Sequence, residues 1–116
     1  MPEIDTAPVR GTLPRLGALA PILEAVSGVY ELGTADIIGR QRTKSIAEAR
    51  MLCCLLARRC TWLSYPEIGM VLGRDHTTVM ALCKSAERQC TTDPWFSAAV
   101  AELLEKLGAT EEVRVQ

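Results

Sequence analysis

Apolar residues along this chain recur every three or four positions, and almost no window alternates with the two-residue period of a strand. The pattern predicts an all-α fold. A first helix from about Pro21 to Leu32 has Pro21 at its first position, Ile22, Leu23, Val26, Val29 and Tyr30 as its buried side, and Gly33 as its stop. Thr34 then opens a helix of one to two turns, with Ile37 and Ile38 directed at the core. Ser45 and Glu48 have the spacing of a capping box and predict the start of a long central helix through about Arg59. Its inner side is Ile46, Ala49, Leu52, Cys53, Leu56 and Cys60, and its first turn is expected to present the amides of Ile46 and Ala47 to a phosphate oxygen.

Two closely linked helices follow. Ser64 and Glu67 form a second capping box with Pro66 in the first turn, and a short apolar face of Ile68, Val71 and Leu72 ends at Gly73. Asp75 then caps a helix by accepting from the amide of Thr77 or Thr78. Val79, Cys83, Ala86 and Cys90 line one face of it, while His76, Thr77, Met80, Lys84 and Arg88 line the other. Two helices joined by a tight glycine-containing turn are a helix-turn-helix candidate, in which the second helix enters the DNA major groove N-terminus first. A last helix is capped by Thr92 or Asp93, begins with Pro94, buries Phe96, Val100, Leu103, Leu104 and Leu107, and ends at Gly108, with Trp95 at the core's edge.

The whole pattern is a compact bundle of about six helices in one domain, residues 18–108, between a flexible arm (1–17) and a flexible tail (109–116). A core of about 90 residues hides roughly 60–65% of the unfolded surface. No apolar run approaches the roughly 20 residues that cross a bilayer, and the N-terminus lacks the order of a signal peptide, so a cytoplasmic, nucleoid-associated protein with no membrane partner is expected. Five cysteines without paired CxxC spacing read as reduced, buried small hydrophobes, and no metal site is expected.

Charge changes the picture once its distribution is considered. The net charge is −1, yet Gly39 to Cys90 holds nine Lys/Arg against four Asp/Glu, and the flanks hold four against ten. A basic middle is what a phosphate backbone would meet. Its densest part, Arg40-Gln41-Arg42-Thr43-Lys44, puts three cations in a five-residue loop between two helices. Arginine suits a narrow A/T-rich minor groove. Asp75 can accept from a base amino group, His76 can meet a purine acceptor, and the Thr77 methyl can pack on thymine. Arg74 and Lys84 are placed to hold phosphates. Each also has a plainer role: Asp75 as a cap alone, His76 as a surface residue, Arg50 and Arg58 as solvated charges.

Arg74-Asp75-His76-Thr77-Thr78-Val79, preceded by Tyr65-Pro66-Glu67-Ile68-Gly69, resembles the signature of the C-terminal DNA-binding domain of the bacterial replication initiator DnaA. Ala35-Asp36-Ile37-Ile38, the basic loop, and Ser45-Ile46-Ala47 with Arg50 recur in the family's order, so the likeness runs from about Pro21 to Gly108. It implies a Trp-repressor-like helical fold and binding of double-stranded DNA at DnaA-box-like sites of the TTATCCACA type. By the same resemblance Arg42 enters the minor groove, and Asp75, His76 and Thr77 read base edges in the major groove. Thr43, Lys44, Arg50, Arg58, Pro66, Arg74 and Thr78 match positions at or near phosphates.

The chain departs from the family at several points. A single Gly73 stands where two glycines are common, Glu48 where a basic residue is usual, Ala49 for a helix-start proline, and Met51 for a polar neighbour of phosphate. There is no GxxxxGK[ST] loop, so no nucleotide is expected, and with one His and no paired carboxylate or nucleophile arrangement no cofactor or enzymatic activity is expected either. The chain is expected to act as a stand-alone DNA reader in replication initiation or transcription, with replication or transcription proteins as further partners. The competing expectation is a protein-interaction domain that keeps the helical fold and has lost tight DNA binding.

Overall fold

The computed structural model describes residues 17–107, so the expected tail and all but the last residue of the expected arm lie outside the described residues. Six helices follow one another: α1 (Ala20–Tyr30), α2 (Thr34–Ile38), α3 (Lys44–Cys60), α4 (Tyr65–Leu72), α5 (His76–Thr92) and α6 (Pro94–Lys106), with no strand among the described residues. The all-α expectation holds. α3 is the hub, packed against α1, α2, α4, α5 and α6, and every residue from Leu52 to Ala57 is buried. A helix at the centre of a small bundle has neighbours on most of its sides, so its apolar surface is wider than a single stripe. Phe96 from α6 and Ile37, Ile68 and Val79 from the surrounding helices are fully buried in the same core. Each large side chain hidden this way contributes about 1.5–3 kcal/mol.

Most of the ends are set by the caps the sequence offers. Ser64 accepts from the Glu67 amide at 3.2 Å, and the Glu67 carboxylate accepts from the Ser64 amide at 2.8 Å, which fixes the start of α4. Asp93 caps α6 by accepting from the amides of Trp95 and Phe96 at 3.0 and 3.3 Å. Gly73 ends α4 in the left-handed conformation, φ 70° and ψ 32°, where a Cβ would be strained.

Two boundaries differ from the sequence expectation. α1 stops at Tyr30 because Glu31, not a glycine, takes the left-handed conformation (φ 56°) and, with Leu32, donates its amide to the Ser27 carbonyl. Gly33 is extended and serves instead as the N-cap of α2, its amide donating to the Asp36 carboxylate at 3.2 Å. Val29 accordingly sits at the exposed end of α1, and Tyr30 is half-buried, its ring meeting Trp95 edge-on at 5.7 Å.

The start of α3 is the second correction. Thr43, not Ser45, is its cap and accepts from the Ile46 amide at 3.2 Å, while the Ala47 amide donates to the Thr43 carbonyl at 2.9 Å. Those two amides are therefore engaged inside the chain and are not presented to a phosphate. Glu48 does not close a capping box either, because its carboxylate is held by the Gln89 side chain of α5.

Candidate nucleic-acid interface

α4, its turn and α5 form the helix-turn-helix. The turn is tight, with the Arg74 amide donating to the Gly69 carbonyl at 2.9 Å. A Cβ on Gly69 would lie 2.2 Å from the Arg74 carbonyl oxygen, so only glycine lets the turn backbone fold down onto α4.

At the start of α5, Asp75 Oδ1 accepts from the Thr78 amide at 3.1 Å and from the Thr77 hydroxyl at 3.1 Å. The Thr78 amide and then the threonine hydroxyls hold the Asp75 carboxyl below the ordinary carboxylate range. With its hydroxyl turned to Asp75, Thr77 has chiefly its methyl to offer a base. Asp75, His76, Thr77 and Thr78 are all exposed, and so are Met80, Lys84 and Arg88 further along the same side. Val79, Cys83 and Ala86 are buried beneath them, whereas Cys90 is half-buried. One side of α5 thus anchors the helix, and the other is left open to a partner.

The basic loop between α2 and α3 exposes Arg40, Gln41, Arg42 and Thr43, with Lys44 exposed in the first turn of α3. A cation at the positive end of a helix is locally unfavourable, by a few tenths of a kcal/mol up to about 1 kcal/mol, and an anion placed there relieves it. Pro66 is exposed at the start of α4.

The remaining expected phosphate ligands are arranged differently. Arg50, expected at the surface, is 7% exposed. Its Nε donates to the Ile37 carbonyl at 2.7 Å, and its Nη2 donates to the carbonyls of Gln41 at 2.9 Å and Gly39. Desolvation, followed by the charges of Arg74 and Arg42, lowers its pKa below the ordinary arginine value. Neither a solvated charge nor an open phosphate ligand describes it: Arg50 satisfies a free carbonyl at the end of α2 and two more in the segment that follows. Its position in the stripe containing Ile46, Ala49 and Cys53 was the sequence signal for burial.

Arg74 is half-buried and reaches the same place from the turn, donating from Nη1 to Ile38 and from Nη2 to Gly39, both at 2.7 Å. Arg58 is also half-buried, with Nη1 on the Leu63 carbonyl at 3.0 Å and its guanidinium 4.2 Å from the Tyr65 ring centroid. It braces the link into α4. Sequence reasoning missed the Gly39 carbonyl as the meeting point of two arginines, and no side-chain pattern could have revealed a backbone acceptor. Among the described residues no group of three or more His, Cys, Asp or Glu side chains converges as a metal would require, and no helix is long and apolar enough to cross a membrane.

Comparison with known proteins agrees with this architecture. Residues 19–85 match the family model described as the bacterial dnaA protein helix-turn-helix. The chain is 34% identical over 90 residues to the chromosomal replication initiator protein DnaA of Lachnoclostridium phytofermentans, covering 77% of this chain and 20% of that protein. It is 39% identical over 87 residues to DnaA of Acinetobacter baylyi, covering 74% and 19%. A crystal structure of a DNA replication initiation factor superposes with a TM-score of 0.71 at 30% identity, over 80% of this chain and 29% of that one. The chain thus spans about a fifth of the length of the curated relatives it matches. By the match of the family model to more than half of its length, and by the helix-turn-helix it forms, the chain belongs to the family of the bacterial DnaA helix-turn-helix domain.

Proposed function

We propose that this chain reads double-stranded DNA sequence-specifically at DnaA-box-like sites and acts in the control of replication initiation or of transcription. The observation that carries the reading is the exposed N-terminal turn of α5, with Asp75, His76 and Thr77 beside an exposed arginine loop. In this reading α5 enters the major groove, where the Asp75 carboxylate accepts from a base amino group, His76 meets a purine acceptor and the Thr77 methyl packs on thymine. Arg42 enters the adjoining A/T-rich minor groove. Thr43, Lys44, Pro66, Thr78 and Lys84, all exposed, contact phosphates and set the register. Arg58 and Arg74, which are half-buried, reach phosphates only with the donors their carbonyl contacts leave over.

The relatives are replication initiator proteins, which favours replication as the setting. Fluorescence anisotropy tests the reading: a labelled DnaA-box duplex and a scrambled duplex of equal composition are titrated at several salt concentrations. Selective binding with a log–log salt slope near −5, roughly five or six neutralised phosphates, is expected. Equal, weak binding to both duplexes would instead favour a helical domain that serves protein partners.

A further inference from the structure

We infer that Arg50 and Arg74 are positioning residues that lock the basic loop to the recognition helix, so that the minor-groove and major-groove readers keep one spacing. The inference rests on the proposed DNA-reading function. Every helix leaves its last four carbonyls without intrahelical partners, and in the five-residue α2 that is nearly the whole element. Two guanidinium groups reach this end of α2 from separate directions: Arg50 from the second turn of α3 and Arg74 from the helix-turn-helix turn. Both converge on the Gly39 carbonyl.

The geometry joins the two reading elements. Arg74 immediately precedes Asp75, the cap of α5, so its side chain is fixed to the first turn of the reading helix. Gly39 is the residue before the basic loop, and Arg50 also holds the Gln41 carbonyl, next to Arg42. The loop backbone is therefore tied on both sides of Arg40, and α5 is tied to the same carbonyl. Arg74 spans 35 positions of sequence to make this link, a distance at which local chain stiffness contributes nothing. A planar guanidinium with several donors in fixed directions can serve two or three carbonyls at once, whereas a lysine ammonium on a flexible stem cannot reproduce the fork. The arrangement also answers how a nearly buried arginine is tolerated, since its charge is offset by several carbonyl acceptors.

A three-duplex experiment separates positioning from phosphate contact. The duplexes are the preferred target, the target with its A/T-rich half replaced by G·C pairs, and the target with only its major-groove half altered. Wild type is expected to bind the first about tenfold or more tighter than either of the others. Arg50→Met should abolish discrimination against the G·C-substituted half, as Arg42→Ala does, while keeping discrimination at the major-groove half and the wild-type salt slope. Arg50→Lys should fail to rescue it. In an Arg42→Ala background, Arg50→Met should cost almost nothing further on the target, because both substitutions remove one function.

Rescue by Arg50→Lys, or a salt slope lowered by about one with equal weakening on all three duplexes, would identify a phosphate contact and overturn the inference. Additive losses in the double variant would overturn it too. If Arg50→Met does not fold, Arg74→Lys, which keeps a charge for the phosphate, is read by selectivity alone: lost discrimination at the A/T-rich half supports the link, and wild-type discrimination there refutes it. A wild-type chain that discriminates none of the duplexes would overturn the DNA-reading function and this inference with it, a result that the wild-type control reports by itself.

Discussion

His76 and Thr77 are exposed side chains with no role in the core, whereas Asp75 holds the end of α5 together and faces outward at the same time. Substituting the first two should therefore alter recognition far more than stability. His76→Ala or Thr77→Ala is expected to narrow the gap between specific and random DNA by about 1–3 kcal/mol per lost base contact, at an unchanged melting temperature for His76→Ala and a slightly lowered one for Thr77→Ala, which loses its hydroxyl bond to the Asp75 cap. Lys44→Ala should instead weaken all sequences nearly equally and lower the salt slope by about one. Competition binding against random duplex, with thermal melting alongside, separates these outcomes. Asp75 adds a pH dependence. Its folded carboxyl titrates below the ordinary value of about 3.9, so the charged cap stabilises α5 above that pH and is lost as pH falls through the lowered folded value. The stability advantage of wild type over Asp75→Asn should be constant near neutrality and disappear in that acid window, as urea unfolding at a series of pH values would show. The cap itself was legible in the sequence, because an aspartate before a polar helix start has one dominant local use. The position of Arg50 was read differently because a charged residue evokes solvent, and its acceptors lie on backbone that only the fold brings near.

Helix ends make the same point at the next scale up. The start of α4, the starts of α5 and α6 and the stop at Gly73 follow from residues within one turn of each end, and the sequence expectation for them holds. The end of α1 and the start of α3 do not. In each case a residue two positions earlier takes the role, Glu31 in place of Gly33, which is the N-cap of α2, and Thr43 in place of Ser45. The helix-turn-helix turn carries the strongest element-scale prediction. Gly69→Ala would push a methyl into the Arg74 carbonyl and should destabilise the domain by about 1–3 kcal/mol, with selective DNA recognition impaired in the fraction that folds. Gly73→Ala meets open space and only the left-handed backbone penalty, about 1 kcal/mol. Chemical denaturation of the two variants checks the order; an equal or reversed cost would mean that the turn is looser than its close approach implies.

Over the whole molecule, the acidic flanks make net charge a poor guide and the basic middle a better one. Glu48 is one of the four carboxylates within that middle, and it is held by Gln89 in a groove that also includes Lys44 and Arg88. A carboxylate there opposes the approach of a phosphate backbone. Glu48→Gln should raise affinity for every duplex and steepen the salt dependence, with little change in sequence preference, which parallel salt titrations of the two proteins would reveal. The hub role of α3 and the six-helix bundle were readable from apolar periodicity. The linkage of loop to recognition helix was not, because it runs through carbonyl oxygens shared between distant segments. Selection from a random pool of DNA duplexes tests the central claim most directly, since it presumes no target. If this chain reads DNA through both grooves, one asymmetric element should be enriched, an A/T-rich segment adjoining a second fixed segment, with the first preference lost in Arg42→Ala and the second in His76→Ala. Recovery of no common element, or of an element indifferent to both substitutions, would contradict the account.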